Sequence, residues 1–336
     1  MSKRSVIGLV YMLQGAKLLG VDTVPILAKH GLQLDQLNPA AEIDRQQEVA
    51  ILDELAQSCD NPLAGLHIGE AISTAGYGVF TMLLMTCNNA EHALKTGVAY
   101  QQLAYLHGGL SVDFGAESTA LIIDPIPLPA TSRRIVIDGD LAGTVKLLRD
   151  LQAQFGVLLA AKAKEIWVPY AKPKEYRAYE EYYQCPVRFD APEARIILPS
   201  VILQIPFLTA NPTAHLLYKQ QCDALLAQRF HNDGLTGRVL SYLDLVTRCY
   251  PSADEVATIM GLTGRSFRRQ LAAEQTTFRQ LLDQARYQKA AHYLQCGQFS
   301  VDYIAEQLGY SESAAFIHAF QRWTGKRPSV FRKTNS

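Results

Sequence analysis

Three arginines near the carboxyl end of the chain, Arg265, Arg268 and Arg269, are spaced i, i+3, i+4. On a helix this spacing brings all three guanidiniums to one face. Phe267 and Leu271, from the same stretch, fall on the other side, and Ser266 completes the set. A guanidinium is a rigid, permanently charged fork that fits guanine edges and phosphate oxygens. The same three side chains on an arbitrary helix would be a solvated basic face. The elements that carry them decide between the two readings.

Those elements come as one pattern written twice. The first copy begins at Ser252 and runs through Gly261 to Leu271; the second begins at Ser300 and runs through Gly309 to Phe320. Ser252, Asp254, Val256, Ala257, Met260, Gly261 and Thr263 recur in kind as Ser300, Asp302, Ile304, Ala305, Leu308, Gly309 and Ser311, after which the second copy carries one extra residue. Each copy fits a helix, a tight turn and a second helix. The leading serine can cap the first helix, and Val256, Ala257 and Met260 form one buried face. Glycine then tolerates the left-handed turn, and Thr263 or Ser311 stands where the next N-cap belongs. The second helices bury Phe267 and Leu271 in one copy and Phe316, Phe320 and Trp323 in the other. This is the helix-turn-helix, whose second helix enters the DNA major groove.

In the second copy the positions in phase with the arginines are Ala314, Ile317 and His318. Ala314 and Ile317 can touch a thymine methyl, and His318 a phosphate or base edge. The second unit can equally grip the backbone through Ser311, Ser313, Arg322, Lys326 and Arg327. Most base discrimination is expected from the first unit. Between the copies, Thr277–Gln295 reads as one helix with an apolar stripe including Phe278, Leu281, Leu282, Ala285, Ala290 and Leu294. At ~1.5 Å per residue it spans roughly 28 Å. Two recognition helices so spaced can enter successive major-groove segments, whose repeat is about 34 Å, with some bending of the duplex.

The double motif, with its closing pattern Phe316, Phe320, Arg322, Gly325, Pro328 and Phe331-Arg332, resembles the AraC/XylS family of bacterial transcription regulators over about a hundred residues. His318 stands where the family often has arginine. The resemblance implies a sequence-specific regulator of double-stranded promoter DNA, an effector-responsive activator or else a repressor, with RNA polymerase as a partner.

Composition agrees with a folded protein of two domains. The chain has 336 residues, 48% hydrophobic and 19% charged. Its net charge is zero, yet from Asp233 onward there are 13 Lys+Arg against 9 Asp+Glu, a net of +4 that leaves −4 for residues 1–232. The sign suits a DNA-binding half and a regulatory half. The longest apolar run, around Gly78–Cys87, is far short of the ~20 residues that span a bilayer. No signal peptide is read at the amino terminus. The six cysteines are scattered without CxxC or Cys/His spacing, so they read as reduced thiols of a cytoplasmic protein with no metal and no cofactor.

The amino-terminal half reads α+β. Helices are expected from Val6, Asp22, Asp44–Cys59, Asn61-Pro62 and Asn89–Leu106. Leu110–Phe114 alternates, Gly115-Ala-Glu-Ser turns the chain and the apolar run Ala120–Ile123 follows, which reads as a hairpin. Pro125, Pro127 and Pro129 mark an irregular loop before a helix over Asp138–Phe155. Ala163–Val168 is strand-like and Pro173–Tyr183 helical; Val187–Asp190 and Ala194–Leu198 are two strands joined at Ala191-Pro-Glu193. Asn211–His231 is a long helix, and Asn232-Asp-Gly234 ends the domain. The fold class is thus an α+β effector domain, residues 1–232, followed by an all-α domain, residues 233–336, with two helix-turn-helix motifs and a linker helix. Asn61–Gly69, Gly76-Tyr-Gly78, Ala90–Tyr100, Tyr183–Phe189 and Leu208–Pro212 resemble the effector-binding region of the AraC branch grouped with ornithine-utilisation and alkane regulators. This resemblance implies small-molecule sensing and a homodimer.

Trp167, Tyr170, Tyr176, Tyr179, Tyr182 and Tyr183 cluster in sequence, and Tyr176, Tyr179 and Tyr183 share a helix face. They form either the wall of an effector pocket or a helix packed on the sheet with its hydroxyls at the rim. Arg133 and Arg134 can pair with an acidic effector or stand exposed in a loop. His67, His92, His107 and His215 show no metal spacing. There is no phosphate loop, nucleophile elbow or paired-carboxylate motif. A DNA-modifying enzyme would need a reactive thiol; Cys185-Pro186 comes nearest, but its strand-start setting is read as lacking the basic neighbours that activate a thiolate.

Overall fold

A computed structural model describes residues 3–34, 37, 41–124, 126, 128–155, 162–229, 234–246, 248, 250–295, 297 and 299–334. Two compact units emerge, one of Lys3–Ile126 with Thr131–Ala227, the other chiefly Gln228–Ser336. The expected boundary at residues 232 and 233 lies outside the described residues.

The first unit opens with β1 (Lys3–Ser5), α1 (Ile7–Leu18), α2 (Val24–Lys29), β2 (Glu42–Asp44) and α3 (Arg45–Gln57). The strands β1 and β2 pair antiparallel; at three residues each they are too short to show an alternating pattern, and none was expected there. Asp44 caps α3 by accepting from the amides of Gln46 and Gln47. The helices α4 (Ala64–Glu70), α5 (Val79–Met85) and α6 (Ala90–Ala99) follow. The helix expected to reach Leu106 stops at Ala99 and tightens into a 3-10 turn over Gln101–Leu103.

A five-stranded sheet is built from β3 (Gly109–Phe114), β4 (Ser118–Asp124), β5 (Glu165–Trp167), β6 (Val187–Arg188) and β7 (Ala194–Pro199), in the order β3-β4-β7-β5-β6. The expected hairpin is β3 against β4. Although β6 and β7 follow one another in sequence they are not neighbours: β5 lies between them, parallel to β6 and antiparallel to β7. Along β7 Ala194, Ile196 and Leu198 point into the core, the period-2 signature of a half-buried strand.

Packed on this sheet are α7 (Ala130–Phe155) and α8 (Tyr176–Tyr183). The first turns of α7 lie where a proline-rich loop was expected, so the helix begins eight residues before Asp138. Its Gly139 and Gly143 face Gly65 and Gly69 of α4, an i, i+4 pair of glycines on each helix. A methyl on Gly69 would stand 2.5 Å from the Ala142 Cβ and 2.7 Å from the Gly139 carbonyl oxygen and the Gly143 nitrogen. The two backbones therefore touch, and only glycine permits it. The unit closes with α9 (Pro212–Arg229), whose Cys222 joins Phe80, Leu83, Leu84 and Tyr100 in a second apolar core.

The second unit is all helical: α10 (Gly234–Leu245), α11 (Ala253–Ile259), α12 (Gly264–Ala273), α13 (Phe278–Gln295), α14 (Val301–Gln307), α15 (Ser313–Thr324) and α16 (Pro328–Thr334), the last unexpected. It has two cores. Val239, Leu243, Val256, Phe267 and Leu271 gather around Leu281 and Ala285 in one. Ile304, Leu308, Phe316 and Phe320 gather around Ala290 and Leu294 in the other. The helix α13 thus serves one core with each half. Phe267, Phe316 and Phe320 are fully buried, each contributing roughly 1.5–3 kcal/mol of apolar burial.

Candidate nucleic-acid interface

Local bonds fix the first reading head. The Ser252 hydroxyl accepts from the Glu255 amide, and the Glu255 carboxylate accepts from the Ser252 amide at 2.7 Å, closing a capping box on α11. Gly261, at φ 73°, turns the chain. Thr263 then caps α12 by accepting from the Ser266 amide at 3.3 Å. With Phe267 and Leu271 anchored below, Arg265, Arg268 and Arg269 project into solvent and Ser266 is half-buried. Arg268 lies 3.5 Å from the Asp254 carboxylate. Arg265 and Arg269 have no ion pair or hydrogen bond among the described residues, so two of the three guanidiniums retain their full donor sets.

The second head repeats the frame with different chemistry. Ser300 caps α14 by accepting from Tyr303, and Gly309, at φ 72°, makes the turn. The extra residue moves the start of α15 so that Glu312, not Ser311, is its N-cap, and Glu312 makes no side-chain capping bond. Ser311 is simply exposed. The Ser313 hydroxyl donates instead to Asp302. Ala314 and His318 are exposed and Ile317 half-exposed, on one face of α15. Arg322 donates to Asp283 of α13 at 3.1 Å, which ties this arginine to the linker helix. Lys326 and Arg327 are exposed at the corner between Gly325, at φ 71°, and Pro328.

Residues that the motif did not single out join the two heads. The Arg286 guanidinium of α13 stacks between Tyr250 and Tyr310, 4.7 and 4.8 Å from the ring centroids. The Arg248 amide donates to the Gln307 carbonyl at 2.9 Å, and its guanidinium lies 3.6 Å from Glu306. Lys289 donates to the Val246 carbonyl at 2.5 Å. Glu274, at the end of α12, accepts from the Leu235 and Thr236 amides at 2.8 and 2.7 Å and so caps α10. Desolvation pushes its carboxyl up, but those bonds together outweigh it and hold the group below the ordinary range. Arg286 was not foreseen because its sandwich joins a linker residue to rings 36 and 24 positions away in the chain.

The aromatic cluster of the first unit divides between core and surface. Tyr179 and Tyr183 are buried in the sheet–helix core. Tyr179 donates to Asp138 at 2.7 Å and accepts from Arg134 at 2.9 Å; Tyr170 also donates to Asp138. Burial pushes the Asp138 carboxyl up to about 6, opposed by the two tyrosines and by Arg134. The Tyr183 hydroxyl is buried with no hydrogen-bond partner among the described residues. Tyr176 lies at the surface with Lys172 3.5 Å from its ring centroid, and Trp167 is covered by Arg188 and Arg195. Arg133 and Arg134 are helical residues of α7, not loop residues. Arg134 is committed to Tyr179 and to the Pro62 carbonyl. The packing of α8 on the sheet is thus the arrangement found, with the Tyr179 hydroxyl satisfied inside rather than at a rim.

Cys185 has one basic neighbour, Arg149, but burial prevails and pushes its thiol up to about 11, the wrong direction for a nucleophile. His67 is exposed, and His107 is buried with its Nδ1 2.9 Å from Asp140. Cys87, His92 and His215 come together, which their spacing had hidden. No described helix is long and apolar enough to cross a membrane.

Residues 20–207 match the family described as the arabinose-binding domain of AraC transcription regulator, N-term, and residues 256–334 match a helix-turn-helix domain family. The chain is 29% identical to the ornithine utilization regulator of Pseudomonas aeruginosa over 280 residues, covering 82% of this chain and 80% of that one. It is also 29% identical to the HTH-type transcriptional regulator VqsM of the same organism over 291 residues, 80% and 83% of the two chains. The crystal structure of transcriptional regulator CdpR from Pseudomonas aeruginosa is similar at 24% identity, covering 96% of this chain and 98% of that one, with a TM-score of 0.49. With an arabinose-binding-type amino-terminal domain and a carboxyl-terminal helix-turn-helix region, the chain belongs to the AraC family of DNA-binding transcription regulators.

Proposed function

We propose that the chain is an effector-responsive regulator, most simply an activator, that reads double-stranded promoter DNA as a homodimer in the cytoplasm and acts on RNA polymerase. Residues 233–336 bind the DNA and residues 1–232 sense a small molecule and dimerise. The observation that carries this reading is that Arg265 and Arg269 are exposed and unpaired among the described residues, on a helix whose own caps and core fix its direction. Arg265, Arg268 and Arg269 read base edges in one major-groove segment. Ser313, Ala314, Ile317 and His318 lie along the next, with Ser311, Lys326 and Arg327 on phosphates. Arg322 reaches a phosphate only by leaving or sharing Asp283.

An effector shifts the balance between arrangements of the protein by its differential affinity, so its binding and DNA binding are reciprocally coupled. Trp167, Tyr176, Tyr179, Tyr183, Arg133 and Arg134 are the candidate effector contacts; Arg134 is already paired with Tyr179, so an effector that engages it must share or displace that bond. Footprinting on the DNA beside the chain's own gene, across a range of salt, tests the reading. Protection of two successive major-groove segments on one face supports it; protection that does not depend on sequence refutes it. Melting shifts of the full chain with amino acids, fatty acids and aromatic acids sort the effector class.

A further inference from the structure

We propose that Cys87, His92 and His215 form a binding site for a thiophilic divalent metal ion of the zinc class, in the amino-terminal unit and independent of the DNA-reading assignment. One ligand atom from each residue lies within 4.8 Å of the other two. The Cys87 sulfur is 3.9 Å from the His215 Nδ1, and the two imidazole centroids are 4.7 Å apart. With Zn–S near 2.3 Å and Zn–N near 2.0–2.1 Å, tetrahedral ligation places sulfur and nitrogen about 3.6 Å apart. The Cys87–His215 pair is therefore within a few tenths of an ångström of that separation. The three ligand atoms lie within 4.8 Å of one another, so the half-buried rings must move inward to close on an ion.

The three residues come from three elements whose backbones are sewn together. Cys87 follows α5, His92 lies in the first turn of α6, and His215 in the first turn of α9. The segment leading into α9 is held by hydrogen bonds from the Phe207 amide to the Asn88 carbonyl and from the Asn211 amide to the Thr86 carbonyl, at 2.9 and 3.3 Å. The Thr209 hydroxyl adds a bond to the Met85 carbonyl at 2.6 Å. The frame is thus fixed before any ion arrives, which lowers the cost of assembling the ligands. The sulfur is buried and the imidazoles half-buried, so the set has a water-facing side.

One thiolate and two neutral imidazoles suit zinc and leave a fourth position open for water or a small donor. On binding, Cys87 releases its thiol proton to solvent as a sulfur–metal bond replaces a metal–water bond. Ligation through the His215 Nδ1 replaces its 3.4 Å contact with the Thr86 hydroxyl, and the thiol's bond to the Leu83 carbonyl is lost with its proton. Ligation through the His92 Nδ1 replaces the bond it accepts from the exposed Asn88 amide, which water then satisfies. No electron is transferred. The bound ion fastens the start of α9 to the α5–α6 corner.

The test is a cobalt(II) titration of the full-length chain, followed by zinc(II) displacement. The expected result is one equivalent of cobalt with ligand-field bands and a thiolate charge-transfer band that zinc removes. Cys87→Ser abolishes the charge-transfer band. His92→Gln and His215→Gln each weaken binding by more than the roughly 10–100-fold typical of losing an outer-shell partner. His67→Gln, at an exposed histidine outside the cluster, changes nothing. The absence of a thiolate band in the wild type, or its persistence in Cys87→Ser, overturns the proposal, the latter by placing the ion on another cysteine. Should Cys87→Ser fail to fold, the two half-buried histidine variants decide: undiminished cobalt binding in both overturns it.

Discussion

Replacing Arg269 by alanine separates base reading from general attraction to DNA. The side chain is exposed and has no intramolecular partner among the described residues, so folding stability should stay within about 0.5 kcal/mol of wild type. Loss of one guanidinium fork from a base edge costs about 1–3 kcal/mol of specific binding, or roughly 5–150-fold in affinity. Arg268 provides an internal comparison. It lies 3.5 Å from Asp254 with both side chains largely exposed, a class of pair worth about 0–1 kcal/mol. DNA contact must share or break that pair, so Arg268→Ala should cost less than Arg269→Ala by up to about 1 kcal/mol. Fluorescence anisotropy on the footprinted site and on random DNA, over a salt series, measures both. Arg269→Ala should relax discrimination at one base position while leaving the affinity for random DNA nearly unchanged. Equal losses on specific and random DNA, or a larger loss from Arg268→Ala, would refute the assignment of this face to base readout.

Four further outcomes are expected. Arg327→Ala should weaken all DNA alike and reduce the slope of log affinity against log salt by about one, read from the same titrations. Asp138 is an acid whose folded value, about 6, lies above the ordinary 3.9 or so, so the folded chain binds the extra proton and stability falls as pH rises from about 4 to 6. Asp138→Asn should remove that slope; urea unfolding should show the variant gaining on wild type by up to about 3 kcal/mol between those pH values and holding the gain above them, whereas a pH-independent gap would count against it. Gly69→Ala should destabilise by about 1–3 kcal/mol or more through overpacking, seen as a lower Tm. Gly97→Ala, where nothing lies within 4 Å of the added methyl, should be neutral or slightly stabilising.

The reading heads were legible because their signals are local. Ser252, Thr263 and Ser300 cap as their positions imply, and Gly261 and Gly309 adopt the left-handed turn. The shift from Ser311 to Glu312 at the start of α15 was not legible, because an inserted residue can be absorbed in the turn or in the helix. Long-range arrangements were hidden. The Arg286 sandwich and the Arg322–Asp283 pair depend on where helices cross, not on spacing along the chain. In the amino-terminal unit the hairpin followed from alternation, but the insertion of β5 between β6 and β7 did not, since two- and three-residue strands carry almost no period. Of the α8 tyrosines, Tyr179 and Tyr183 turn into the core while Tyr176 lies at the surface, and the role of Tyr179 turned on Asp138, a residue some forty positions earlier in the chain.

The glycine seam between α4 and α7 has a mechanical consequence. Most helix pairs meet through side chains that can change rotamer, and such joints yield a little at a time. Here backbone meets backbone, with Gly65 and Gly69 set against Gly139 and Gly143. A joint of that kind has no soft degree of freedom: its halves travel together or come apart. A displacement of α7 at this seam should therefore carry α4 with it, as through a rivet rather than a cushion.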